Sequence, residues 1–282
     1  MGLFGEAEQS FREMRAGTGT VGRVGGTVGS PNKLAAYIGM IIPINLALFF
    51  APIDRRYKIW LLLPVFLISS ALELITFSRG GWVGLGIGGS VTLYWCMTRL
   101  IRRKVISLIL LVALLVTSFI ITIALIESVR SRLFEEDYGA AYTRIPMAVV
   151  AANMIYQNPM LGVGLVNYTS VSMGYDISRE AISYIFPMPV HNEFLLIAAE
   201  LGLPALGLFV LILAAVFIRL LRIGRSRADP VLQYTAIGLF GGLIAWCIHY
   251  QFEFAYAVMM VAFWAYVGLI QAMNRVIVND TK

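Results

Sequence analysis

Arg79, Arg144 and His191 are the residues of this chain best suited to chemistry. Arg79 follows Thr76-Phe77-Ser78, between two apolar runs. Arg144 lies between Tyr142-Thr143 and Ile145-Pro146, inside the long mixed-polarity stretch 127–190. His191 is one of only two histidines and comes just after Pro187 and Pro189. An arginine in such a setting suits an anion. The two prolines cannot lie in a helix interior, so a helix starts after them and either His191 or Asn192 falls near its N-cap. A helix N-terminus is electropositive and disfavours imidazolium. A neutral imidazole there is suited to accept a proton. Plainer roles stand beside these. Arg79 could be an interfacial anchor whose stem snorkels, Arg144 a solvated loop charge, and His191 a simple cap.

The elements that must position these residues are membrane helices. Hydrophobic residues make up 59% of the 282 and charged residues 13%, against roughly 45–50% and about 25% in soluble domains. A spanning helix needs about 20 apolar residues, and seven segments qualify: roughly 34–52, 58–77, 80–98, 104–126, 203–221, 231–250 and 255–273. This predicts an all-α polytopic membrane protein. The net charge of +6 is no nucleic-acid signal, because the basic residues cluster in short connections. Asp54-Arg55-Arg56-Tyr57-Lys58, Arg99 through Lys104, and Arg219 through Arg227 are those connections. The positive-inside rule assigns them to the cytoplasm. Ser78-Arg79-Gly80, the 127–190 stretch and Gln251-Phe252-Glu253 then face outward, and the C-terminal tail 274–282 ends inside. The predicted organisation is an extracytoplasmic N-terminal segment 1–33, helices over 34–126, an extracytoplasmic loop 127–202 containing short helices, and helices over 203–273. An outward segment 1–33 with Arg12, Arg15, Arg23 and Lys33 and no apolar run suggests that upstream membrane helices belong to a longer protein.

Positive-inside bias depletes arginine on the outer side, so Arg79 in a short outer turn asks for a reason beyond anchoring. Two arginines and a histidine on one face favour a site. Loops as long as 127–190 are usually functional or disordered, and its apolar content argues against disorder. Within it, Ile145, Val149, Ala152 and Ile155 recur at helical spacing, and Asn158-Pro159 ends the pattern. Glu73 lies one turn deeper than Arg79 and either lines a cavity or joins an ion pair. His249 and Glu253 flank the other outer hairpin. Glu135-Glu136-Asp137 lacks a histidine at ligand spacing and reads as a solvated acidic turn rather than a metal site. Cys96 and Cys247 fall inside apolar runs and read as small buried residues. Gly80, Gly84 and Gly88, and Gly238 and Gly242, are spaced for close helix packing. Pro43 with Asn45 suggests a kink that turns a polar group into the bundle.

Several blocks together resemble a known family. They are Arg23-Val-Gly-Gly-Thr-Val-Gly-Ser-Pro31-Asn32-Lys-Leu-Ala-Ala-Tyr37, Thr76-Phe-Ser-Arg79-Gly-Gly-Trp82, and Arg144 followed by Asn158-Pro-Met-Leu-Gly162-Val-Gly164-Leu-Val-Asn167-Tyr168. His191-Asn-Glu-Phe-Leu195 with Glu200-Leu-Gly-Leu-Pro204 completes the set. In this order they are similar to the bacterial O-antigen ligases and O-antigen polymerases. The resemblance implies a GT-C-like helical bundle in the bacterial inner membrane, serving lipopolysaccharide or exopolysaccharide synthesis. It implies an enzyme that takes its glycan from undecaprenyl diphosphate at the outer face. The acceptor would be a sugar hydroxyl, on lipid A core or on a growing glycan. The family's two arginines and loop histidine map to Arg79, Arg144 and His191, with Asn32 and Asn192 as further substrate-binding candidates.

The residue chemistry is compatible with that role. A diphosphate leaving group gains negative charge as the glycosidic bond breaks, and arginine grips phosphate oxygens in a bidentate fork. A sugar hydroxyl needs a base, and His191 is the candidate. No cofactor is required, since there is no glycine-rich phosphate loop of the necessary spacing and no paired carboxylate site. Two other classes fit less well. A lipid-linked glycan flippase would be expected to show repeats and broken helices, which the sequence lacks. A non-catalytic membrane subunit would tolerate replacement of His191.

Overall fold

The computed structural model describes residues 13–16, 19–101, 103–126, 143–178, 181–226, 229–255 and 257–280. A short antiparallel hairpin, β1 (Glu13–Ala16) and β2 (Gly19–Gly22), pairs Glu13 opposite Gly22. The other regular elements among the described residues are helical. The first four helices are α1 (Pro31–Phe50), α2 (Arg55–Ile75), α3 (Arg79–Ile101) and α4 (Lys104–Leu125). Next come α5 (Arg144–Gln157), α6 (Tyr168–Val171), α7 (Ile182–Ile185) and α8 (Glu193–Leu201). The last three are α9 (Leu203–Arg225), α10 (Pro230–His249) and α11 (Ala257–Asp280).

A helix therefore occupies each of the seven apolar segments. Four of them, α1, α2, α9 and α10, are long and apolar enough to cross a membrane, and shorter apolar stretches run over Lys104–Ile120 and Met260–Met273. In α3 the glycines and Arg99 dilute the apolar run. Local chemistry sets several helix starts. Pro31 opens α1 and Pro230 opens α10, where a missing N–H costs nothing. Ser78 caps α3, its Oγ accepting from Gly81 N–H at 3.3 Å, and the Asp54 side chain accepts from Arg56 N–H at 2.9 Å at the start of α2.

The chain divides into two compact units. The first comprises Met1–Glu135, Arg219–Ile248 and Val261–Lys282. In it α1 packs on α2 and α3, and α3 on α4. The spaced glycines serve this packing. A side chain at Gly88 would overlap the Gly241 carbonyl, and one at Gly238 would overlap the backbone of Ile44 just past Pro43. Asn45 is buried here as expected.

The second unit comprises Glu136–Ile218 and His249–Met260 and has an apolar core of its own. Met147, Val150, Ala151 and Met154 of α5 face Tyr168, Ile182, Val190, Leu196, Ala199 and Phe254. The Ile145, Val149, Ala152 and Ile155 spacing marks a helix, as expected, but most of that stripe is not its buried face. Ile145 is 70% exposed and Val149 is 42% exposed. Two apolar stripes run along this helix at the same period, and the Met147 stripe wins because it meets α8 and the loop helices. The Asn158–Gly164 block then locks onto the end of α8. Val163 N–H donates to Ala199 O and Gly164 N–H to Glu200 O, both at 2.9 Å. Leu203 N–H donates to Pro159 O at 2.8 Å. Buried Glu200 completes the lock, its carboxylate accepting from Val166 N–H at 3.0 Å and Tyr168 N–H at 3.1 Å.

With Gly162, Gly202 is one of two tight points of this lock. Its φ is +87°, and a Cβ there would overlap the Met160 carbonyl. A side chain at a positive φ with no room is destabilising by more than about 1 kcal/mol. Gly202→Ala should therefore lower the melting temperature of the purified protein measurably. Gly207→Ala, whose added methyl group would meet nothing within 4 Å, should leave it near wild type.

Candidate functional site

Asn192 is the N-cap of α8: its backbone is extended, and its Oδ1 accepts from Leu195 N–H at 3.0 Å. That settles which of the two neighbours caps the helix and leaves the imidazole of His191 for other contacts. His191 Nδ1 lies 3.3 Å from Glu253 Oε1, with side-chain exposures of 17% and 6%. Its ring packs at 5.4 Å, tilted, on Phe254. Both partners come from the hairpin that follows α10.

The same hairpin is stapled to the start of α8 by backbone and side chain. Glu193 N–H donates to Tyr250 O at 2.9 Å, and Ala255 N–H donates to Glu193 Oε2 at 2.6 Å. Asn192 Nδ2 donates to Gln251 O at 3.3 Å and to Gln251 Oε1 at 3.1 Å. Phe254 N–H donates to Glu253 Oε1 at 3.2 Å. Arg144, the first residue of α5, lies over the Phe252 ring at 5.9 Å from its centroid, within cation–π range. His191 and Arg144 therefore meet one six-residue turn, Tyr250 to Ala255.

Arg79 and Asn32 belong to the first unit. Arg79 is half-buried at the first position of α3, behind a shaped corner. Phe77 has φ +50°, a conformation rare for an aromatic residue. Thr76 Oγ1 donates to Glu73 O at 2.7 Å, and Trp82 Nε1 donates to the same carbonyl at 3.1 Å. Arg23 braces the corner from outside the helices. Its Nε donates to Thr76 O at 2.9 Å and its Nη2 to Asn32 Oδ1 at 2.8 Å. Sequence reasoning misses this bracing role of Arg23 and this use of Asn32. Buried Glu73 packs against Gly81, and neither of its carboxylate oxygens has a hydrogen-bond partner among the described residues. Buried His249 lies against the Tyr250 ring at 5.5 Å. Glu135-Glu136-Asp137 lies outside the described residues.

Both arginines head helices. A cation is disfavoured at the positive end of a helix macrodipole, so each position gains if an anion sits there.

The chain matches the O-antigen ligase family over residues 64–210, just over half its length. It belongs to that family. None of the curated proteins matches it. As an O-antigen ligase family member it is a membrane protein of the ligase and polymerase type. The matched span contains Arg79, Arg144 and His191, while the hairpin bearing Glu253 lies beyond it.

The segment stapled to this turn also carries a buried acid, Glu193. Burial pushes Glu193 up from its ordinary 4.5 to about 7, opposed by the Ala255 N–H bond and reinforced by Glu200. The folded protein thus keeps a proton that the unfolded chain releases near 4.5. Stability from this group is complete below about 4.5 and is lost as pH rises through about 7. The melting temperature should fall between pH 5 and 8, and Glu193→Gln should flatten that part of the curve. An equally steep fall in the variant would assign the dependence to other groups.

Proposed function

We propose that this chain transfers or polymerises a glycan from undecaprenyl diphosphate onto a sugar hydroxyl at the outer face of the bacterial inner membrane. In this reading all seven long helices span the bilayer in a GT-C-like bundle. Residues 1–33 and the 127–202 loop are extracytoplasmic, and the tail 274–282 is cytoplasmic. The observation that carries the proposal is the meeting of His191 and Arg144 on the Tyr250–Ala255 turn, within a chain of this family.

The chemistry follows from the residue types. The acceptor hydroxyl attacks the anomeric carbon while His191 takes its proton. The bond from that carbon to the diphosphate oxygen breaks, and its electron pair leaves with the diphosphate. Arg144 and Arg79 stabilise the growing charge, and the positive ends of α5 and α3 add to them. Attack opposite the leaving group inverts the anomeric centre. Asn192 and Asn32 have structural bonds already, so they would meet the glycan through the second lone pair of the amide oxygen.

Lysine is a point charge without the bidentate fork. Arg79→Lys and Arg144→Lys should each fail to restore glycan transfer in a purified assay. Wild-type turnover in both would reduce these residues to anchors. His191→Ala should cut turnover by roughly 10²–10⁴-fold, the share of general-base catalysis, while binding of the lipid-linked donor persists. Loss of donor binding would instead make His191 a ligand.

A further inference from the structure

We propose that Glu253 positions His191: its buried carboxylate accepts the Nδ1 hydrogen and so leaves the Nε2 lone pair for the acceptor hydroxyl. This rests on His191 being the base. The two ring nitrogens of a neutral imidazole are not equivalent, and the bond made by one decides which can accept a proton. An ionised carboxylate only accepts hydrogen bonds. Beside Nδ1 it therefore selects the tautomer protonated there.

The surroundings support a positioning role. Glu253 Oε1 is also bonded by Phe254 N–H at 3.2 Å, which fixes the carboxylate's rotation. The Phe254 ring packs on the imidazole and limits its tilt. The other nearby carboxylate, Glu193, has its Oε2 committed to Ala255 N–H at 2.6 Å. The turn is stapled to α8 by Glu193, Asn192 and the Tyr250 carbonyl, and none of these bonds runs through the Glu253 side chain. At 3.3 Å the His191–Glu253 contact is long for a hydrogen bond, and such contacts tighten when substrate is bound.

In the transfer step the acceptor O–H proton moves to Nε2 and its electron pair forms the new bond to the anomeric carbon. The bond to diphosphate breaks with its pair on the leaving oxygen. The imidazolium, now protonated on both nitrogens, is stabilised by Glu253 until Nε2 returns its proton to water.

The test is a double-mutant cycle in the full chain under the conditions of an active preparation, comparing wild type, Glu253→Gln, His191→Ala and the double variant. Glutamine has nearly the same shape, but its amide can donate to Nδ1 and impose the wrong tautomer. Glu253→Gln should lower kcat by roughly 10²-fold, within the 10²–10⁴ range of base catalysis. The donor KM and the melting temperature should not change. Glu253→Asp, which keeps a carboxylate, should recover part of the loss. In the His191→Ala background, Glu253→Gln should change residual turnover less than about twofold, because residues acting as a unit are not additive. Where residual turnover lies below detection, the split between kcat and KM together with the aspartate rescue decides. Equal losses in both backgrounds, a raised KM with unchanged kcat, or a lowered melting temperature would overturn the assignment. Wild-type turnover by His191→Ala would refute the base itself, a result separate from any of these.

Discussion

The staple between the start of α8 and the turn after α10 is the constraint on which the candidate site depends. Ala255 N–H and Glu193 Oε2, at 2.6 Å, join segments 62 residues apart. Asn192 serves both as helix cap and as a second link to Gln251. These bonds place His191 beside Glu253, and the same turn presents Phe252 to Arg144. Without the staple, the carboxylate beside the imidazole would not be held there. A site assembled from a loop helix and a distant turn needs such a brace, because loop positions alone are too loose for proton transfer.

The family-like blocks find their physical meaning in the same unit. Asn158 to Gly164 and Glu200 to Pro204 are two faces of one contact, closed by three backbone bonds and by the Glu200 carboxylate. Gly162 and Gly202 are glycines because each has positive φ and lies against the other's backbone segment. This contact fixes the far end of α8, as the staple fixes its start. In the first unit, Arg23 has the comparable task of bracing the corner that ends at Arg79.

The helices are legible in the sequence because long apolar runs admit little else, and each of the seven segments holds one. The start of α8 is legible from Pro189, and Arg144 from the onset of a helical pattern. The buried face of α5 is not, since Ile145 and Met147 begin equally good stripes and only the partner surface chooses between them. Glu253 is noticeable as a carboxylate in a short hairpin between two apolar runs. Its pairing with His191 is a contact across 62 positions, and no local pattern encodes it. Arg23 is hidden for the same reason: its partners Thr76 and Phe77 lie more than 50 residues away.

The claim that this chain makes a glycosidic bond, rather than moving or merely supporting a lipid-linked glycan, is tested most directly in liposomes holding the purified protein. The liposomes carry an undecaprenyl-diphosphate-linked glycan with a sugar acceptor outside. The account predicts that free undecaprenyl diphosphate and the new glycoside accumulate in equal amounts, with the anomeric configuration inverted. Passage of the intact lipid-linked glycan across the bilayer, with no bond cleaved, would contradict it.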